Sequence, residues 1–219
     1  MSPATGVSTA AAAAATVPVV VHLDHAMDRD LVTEAVTLGF TSVMYDASKL
    51  EYADNVAATT EVTAFCHQHG VFVEAEIGEV GGKDGVHAPG ARTRPDEAVA
   101  FAEATGVDAL AVAVGSSHAM TERTATLDFD LITSLHAAVA VPLVLHGSSG
   151  VADPDLTRAV EAGMTKVNIA THLNNVFTDK VREVLAGNPK LVDTRKYLGP
   201  ARDAVATEVA RLLSVLKAV

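Results

Sequence analysis

The stretch VPVVVHLDH, Val17 to His25, sets a run of β-branched residues directly ahead of an Asp-His pair. A run that is apolar at nearly every position suits a strand covered on both faces, as strands of parallel sheets are. Further compact runs span Phe40 to Tyr45, Val71 to Ile77, Ala109 to Val114, Pro142 to Leu145 and Lys166 to Ala170. Longer segments with helical spacing separate them, the order expected of successive βα units. Asp28, Asp128 and Asp153 stand where helix N-caps are needed, Pro154 suits a first helical turn, and Gly39, Gly70, Gly106 and Gly163 punctuate the returns to strand. A last amphipathic pattern, Pro200 to Leu216, closes the chain. These units predict an α/β fold of the TIM (β/α) barrel type, incomplete, with six of the eight parallel strands of a full barrel.

Composition bounds the rest. A chain of 219 residues with 49% hydrophobic content suits one domain with a substantial core. The net charge of -11, with no cluster of Lys and Arg, argues against a nucleic-acid partner. The single cysteine, Cys66, allows no intramolecular disulfide and favours a reducing cytoplasm; it is expected to pack in a helix rather than react. Residues 1–16 are Ala-rich without the basic start of a secretory signal, and are read as a disordered or weakly helical tail ahead of a barrel domain over 17–219. No apolar run from Val17 onward approaches the roughly 20 residues that span a bilayer, so a soluble protein without a membrane partner is expected.

In a parallel barrel the strand ends open on one face, and residues distant in sequence meet there. The runs deliver Asp24 and His25, Asp46, Glu74 and Glu76, His118, His146 and Asn168 to that face in turn. Three imidazoles at equivalent positions, with carboxylates beside them, predict a metal centre, and zinc is the ion that prefers such ligands. Neighbouring residues of an ideal strand point to opposite sides, so the backbone is predicted to turn between Asp24 and His25. Such a centre permits, among other metal chemistries, cleavage of a carbon–carbon bond beside a ketone: a metal can stabilise the enediolate, and an adjacent carboxyl such as Asp24 can exchange a proton with the hydroxyl of the departing aldehyde half. In HGSSG, His146 to Gly150, small residues let backbone N–H groups approach an anion, which makes the segment a phosphate candidate. Blander roles are expected elsewhere. His67, His69, His87 and His136 should face solvent, His22 should hydrogen-bond on the inward face, and Lys166 should pair with Glu74 rather than form a Schiff base.

Seven ordered segments carry a family likeness: HLDH (His22 to His25), MYDAS (Met44 to Ser48), VEAEIGEVGG (Val73 to Gly82), TGVDALAVAVGSSH ending at His118, VPLVLHGSSG (Val141 to Gly150), KVNIAT (Lys166 to Thr171) and RKYLGPAR (Arg195 to Arg202). Through them the chain resembles the class II, zinc-dependent ketose-bisphosphate aldolases of the fructose and tagatose type, from about Val17 to the last helix. The resemblance implies His25, His118 and His146 as zinc ligands, Asp24 as proton donor and acceptor, and Asp46 and Glu76 as ligands of a second divalent metal. It implies substrate contacts at Ala119, Gly147, Ser148, Ser149, Asn168, Ile169, Ala170 and Thr171. The implied reaction is reversible cleavage of a ketose 1,6-bisphosphate to dihydroxyacetone phosphate and glyceraldehyde 3-phosphate, in cytoplasmic glycolytic or related carbohydrate metabolism, by a homo-oligomer, with a dimer expected.

Departures from the family pattern carry information too. Ala119 replaces a usual glycine, Ser148 stands where glycine or alanine is usual and adds a hydroxyl, and His172 replaces an acidic residue, read here as capping or facing solvent. The mobile segment is shortened to Lys83-Asp84-Gly85, leaving Asp84 as the nearby acid. The family carries two further βα units before HLDH. Three explanations follow: those units lie upstream of Met1, another chain covers the gap, or the chain is a catalytically impaired homologue that keeps only metal or phosphate binding. A hydrolase activating a zinc-bound water is a weaker alternative, and the motifs leave fructose against tagatose open.

Overall fold

The computed structural model describes residues 3–77, 92–118, 120 and 122–218, with side chains from residue 8 onward. Its centre is a six-stranded parallel sheet in chain order, β1 (His22–Ala26), β2 (Ser42–Tyr45), β3 (Phe72–Glu76), β4 (Ala109–Ala111), β5 (Leu143–Leu145) and β6 (Met164–Val167). The helices are α1 (Pro3–Ala14), α2 (Arg29–Thr37), α3 (Tyr52–Gln68), α4 (Pro95–Thr105), α5 (Phe129–Ala138), α6 (Asp153–Ala162), α7 (Thr171–Gly187) and α8 (Arg195–Val215). The order is that of a (β/α) barrel carried through six strands and left open, with β1 and β6 at the edges among the described residues.

Strand alternation sorts the side chains into two layers. Val43, Tyr45, Val73, Ala75, Leu110, Leu143 and Leu145 join the main core between sheet and helices. The intervening residues Met44, Ala109, Ala111 and Val144 form a small separate cluster on the inner face. Glu74 and Glu76 share that inner register and are buried. The inner face is therefore part apolar plug and part charged mouth.

Several boundaries differ from those expected. The first strand begins at His22 rather than Val17, because Val17, Val19 and Val20 are 65%, 52% and 65% exposed and have no strand beside them among the described residues. The last strand runs earlier, Met164–Val167, ending where its register with Leu145 ends. Asp28 and Asp128 cap α2 and α5, accepting from the Asp30 and Leu131 N–H groups at 2.8 and 3.0 Å. Asp153 does not cap: Ala152 holds that position, and Asp153 lies inside the first turn paired with arginines. The Ala-rich opening takes the helical option over Pro3–Ala14, as the high helix propensity of alanine favours. No helix among the described residues is long and apolar enough to cross a membrane.

Candidate metal centre and active site

The predicted turn at Asp24-His25 is present. Leu23 pairs with Val43 and Ala26 with Tyr45, so β1 holds one residue more than β2 over the same span, and His25 adopts φ 50. This bulge lets His25 join Asp24 at the mouth instead of pointing into the helical layer. A positive φ is strained for a residue with a Cβ, and such strain concentrates at functional sites.

The three histidines converge. Ring centroids lie 5.1 Å apart for His25 and His118, 4.8 Å for His25 and His146, and 5.4 Å for His118 and His146, with edge-on planes. One nitrogen from each lies within 4.8 Å of the others. Carboxylates stand behind two of them. Asp46 Oδ2 meets His25 Nδ1 at 2.7 Å, and Glu74 Oε1 meets His146 Nε2 at 2.9 Å. Each carboxylate favours a proton on the outer nitrogen that it meets, and the inner nitrogens, His25 Nε2 and His146 Nδ1, face each other 3.0 Å apart. An imidazole held by a carboxylate in this way can offer its inner nitrogen to a metal. The donor set fits a divalent ion that favours imidazole. A second group, His25 with Asp46 and Glu76, is also close enough to hold an ion.

Electrostatics follow from these contacts. Burial pushes the Asp46 carboxyl up, but hydrogen bonds from His25 and from the Ser48 hydroxyl and N–H outweigh it and hold Asp46 at about 2. The same Asp46 contact raises the His25 imidazole against the opposing effect of burial. Glu74 is fully buried; burial pushes it up, yet His146 and the Lys166 ammonium at 2.6 Å keep it below the ordinary range. The expected Lys166–Glu74 pair is thus present. His22 hydrogen-bonds Ser42 Oγ through Nδ1 at 2.7 Å, as expected for an inward histidine, and its Nε2 lies 3.8 Å from Asp24. Partial burial raises Asp24, but His22, His25, His146 and Lys166 together lower it to about 2. Its side chain remains 52% exposed, open to the mouth. Asn168 Nδ2 is 3.4 Å from Asp24 Oδ1 and 3.2 Å from His146 Nε2, which places the end of β6 beside both.

The candidate phosphate segments face one another at the mouth. Gly147 has φ 65, and a Cβ there would come within 2.7 Å of three backbone atoms of Ser117, so no other residue fits. It leads into a single 3-10 turn, Ser148–Gly150. The hydroxyl that Ser148 adds is buried and donates to the Leu145 carbonyl at 3.0 Å. Ser149 Oγ accepts from the His172 N–H at 3.1 Å, tying this turn to the first turn of α7, where Asn168, Ile169, Ala170 and Thr171 lead in. His172 neither caps nor faces solvent: its Nε2 pairs with Glu208 at 2.6 Å, and its side chain is 23% exposed. His67, His69 and His136 are exposed as expected. Ala119, His87 and the Lys83-Asp84-Gly85 stretch lie outside the described residues. Sequence reasoning missed that Glu74 backs His146; two acids in alternation on one buried strand were the available signal.

A partial (β/α) barrel with its polar groups gathered at the C-terminal ends of the strands has the architecture of the barrel enzymes. The particular family is evident from comparison: the chain matches fructose-bisphosphate aldolase class-II over residues 2–219 and belongs to that family. It is an aldolase by that membership. Among solved structures it is similar to the YdjI aldolase from Escherichia coli K12, with 33% identity and a TM-score of 0.81, covering 97% of this chain and 73% of that one. A fructose-bisphosphate aldolase (Fba) from Campylobacter jejuni shares the fold at 22% identity and a TM-score of 0.80, covering 99% of this chain and 75% of that one.

Proposed function

We propose that the chain is a zinc-dependent aldolase that reversibly cleaves a ketose 1,6-bisphosphate of the fructose or tagatose type to dihydroxyacetone phosphate and glyceraldehyde 3-phosphate, in the cytoplasm and as a homodimer. The observation that carries this reading is the pair of inward nitrogens 3.0 Å apart, each backed by an ionised carboxylate, with His118 completing the group. His25, His118 and His146 would hold the ion, which supplies Lewis acidity to stabilise the enediolate left by carbon–carbon cleavage. Asp46 and Glu76 would hold a second divalent ion.

The remaining work falls to side chains. Asp24, held at about 2, starts as a carboxylate and accepts the proton of the hydroxyl on the departing aldehyde half; condensation returns it. Asn168 donates toward Asp24 Oδ1 and orients that oxygen at the mouth. Backbone N–H groups of Gly147, Ser148 and Ser149, with those of Ile169 to Thr171 and the α7 N-terminus, receive the phosphate of the ketone half. The alternative reading is a catalytically impaired homologue that keeps only metal or phosphate binding.

One experiment separates the two. Purified protein is assayed for cleavage of both sugars, untreated, with EDTA, and with zinc restored. Cleavage lost to the chelator and regained with zinc is the expected result. Chelator-insensitive cleavage would refute the metal mechanism, and inactivity of the zinc-loaded protein would favour the impaired homologue.

A further inference from the structure

Behind the two candidate phosphate segments, away from the histidine centre, charged side chains form a closed circuit. It starts at His172, the residue after KVNIAT, whose Nε2 meets Glu208 Oε1 at 2.6 Å. Glu208 also accepts from Arg211, Nε to Oε2 at 2.9 Å and Nη2 to Oε1 at 2.7 Å. Arg211 reaches on to Asp153, which takes Arg123 Nη2 at 2.5 Å. Arg123 then donates from Nε to the carbonyl of Val151, the residue directly after HGSSG, at 2.7 Å. The His172 N–H, bonded to Ser149 Oγ at 3.1 Å, closes the ring. The circuit therefore leaves one phosphate segment and returns to the other, passing through α8, the start of α6 and the connection after β4.

Its members are partly exposed, Glu208 least at 17% and Arg211 most at 42%, so each pair is individually weak as a source of stability. What such a ring supplies is geometry. Arginine forks gripping carboxylates fix orientation as well as distance, and two sets of backbone donors can share one phosphate only when their spacing is held to a fraction of an ångström. Glu208 sits at the junction, bonded at once to His172 in the first turn of α7 and to the arginine that reaches α6.

We propose that Glu208 is a positioning residue for a phosphate-monoester subsite: through His172 and Arg211 it sets the first turn of α7 against the Ser148–Gly150 turn and so spaces the N–H groups that receive the anion. The proposal rests on the reading of those two segments as phosphate-binding. Glu208 acts through its partners and touches no substrate.

The test uses the zinc-loaded full chain and inorganic phosphate as probe, with binding followed by ³¹P line broadening and kinetics measured alongside. Glu208→Gln should weaken phosphate and raise KM for the bisphosphate by about fivefold or more, with kcat within about twofold and zinc content unchanged, the signature of lost uniform binding. His172→Gln, which keeps a donor toward Glu208, should retain most of the affinity that His172→Ala loses. Should Glu208→Gln fail to fold, Arg123→Lys opens the ring at its other end and should give the same KM-only effect. Undiminished phosphate binding by a folded Glu208→Gln, or parallel loss of kcat and zinc, overturns the role of Glu208. Wild-type protein that takes up no phosphate overturns the underlying reading instead.

Discussion

Glu74→Gln tests the electrostatic logic of the centre most directly. Glu74 is fully buried and carries two contacts, His146 Nε2 at 2.9 Å and Lys166 Nζ at 2.6 Å. Glutamine has nearly the same shape, so packing is kept while the charge is removed. Breaking a buried pair costs about 3–5 kcal/mol when the surviving charge is stranded. Lys166 is 35% exposed and keeps part of its hydration, so the loss should fall below that range, about 2–3 kcal/mol. The second consequence concerns the tautomer of His146: the glutamine carbonyl accepts from Nε2 only as a neutral group, so the preference that leaves Nδ1 for a metal weakens. Loss of such a backing group typically lowers metal affinity about 10- to 100-fold, roughly 1.4–2.7 kcal/mol. Urea unfolding of the metal-free protein reads the first effect, and competition with a zinc chelator reads the second. A variant with unchanged zinc affinity and an unchanged midpoint would refute the claim that Glu74 orients His146.

Asp24→Asn should keep zinc content while lowering turnover by about 100-fold or more, as expected for removal of a proton acceptor; loss of zinc would reassign Asp24 as structural. Asp46, about 2 when folded against 3.8 for the free group, contributes stability that is present above pH 3.8 and lost as pH falls toward 2, about 2 kcal/mol in all. Asp46→Asn should therefore flatten the acid limb of the metal-free protein's stability curve, and an unaltered limb counts against the His25–Asp46 bond. The Cys66 thiol, pushed up to about 11 by burial and by the charge of Asp108, should resist a disulfide reagent at pH 8 and react only once the chain unfolds. Fast labelling of native protein would contradict the burial of that helix face.

Much of the fold was legible because it depends on local pattern. Continuous apolar runs such as Pro142 to Leu145 read as doubly covered strands, and Asp28 and Asp128 cap helices by contacts two and three residues away. The Asp24-His25 bulge was legible as well, since strand alternation forbids both side chains at the mouth without an extra residue. Where tertiary partners decide, local reading failed. Asp153 has the chemistry of a cap, but Arg123 and Arg211 converge on it from distant segments and hold it inside the turn. His172 resembles a solvent-facing polar residue until α8 brings Glu208 against it. Val17 to Val21 has the composition of a strand, yet strand formation needs a partner's N–H and C=O groups, which composition cannot supply.

By itself the sequence determined much of what arrives at the mouth: period-two and helical spacing are set by covalent geometry, and they deliver Asp24, His25 and His146 to the ends of parallel strands, with Glu74 inside β3 and His118 in the connection after β4. Only the tertiary structure decided how those groups are oriented. Which nitrogen of each imidazole faces inward, which acid stands behind it, and which ion pairs tie the Ser148–Gly150 turn to the start of α7 depend on contacts across 21 to 121 residues of chain. Those contacts need the assembled tertiary structure, because a hydrogen bond is decided within tenths of an ångström and no spacing rule along a sequence reaches that precision.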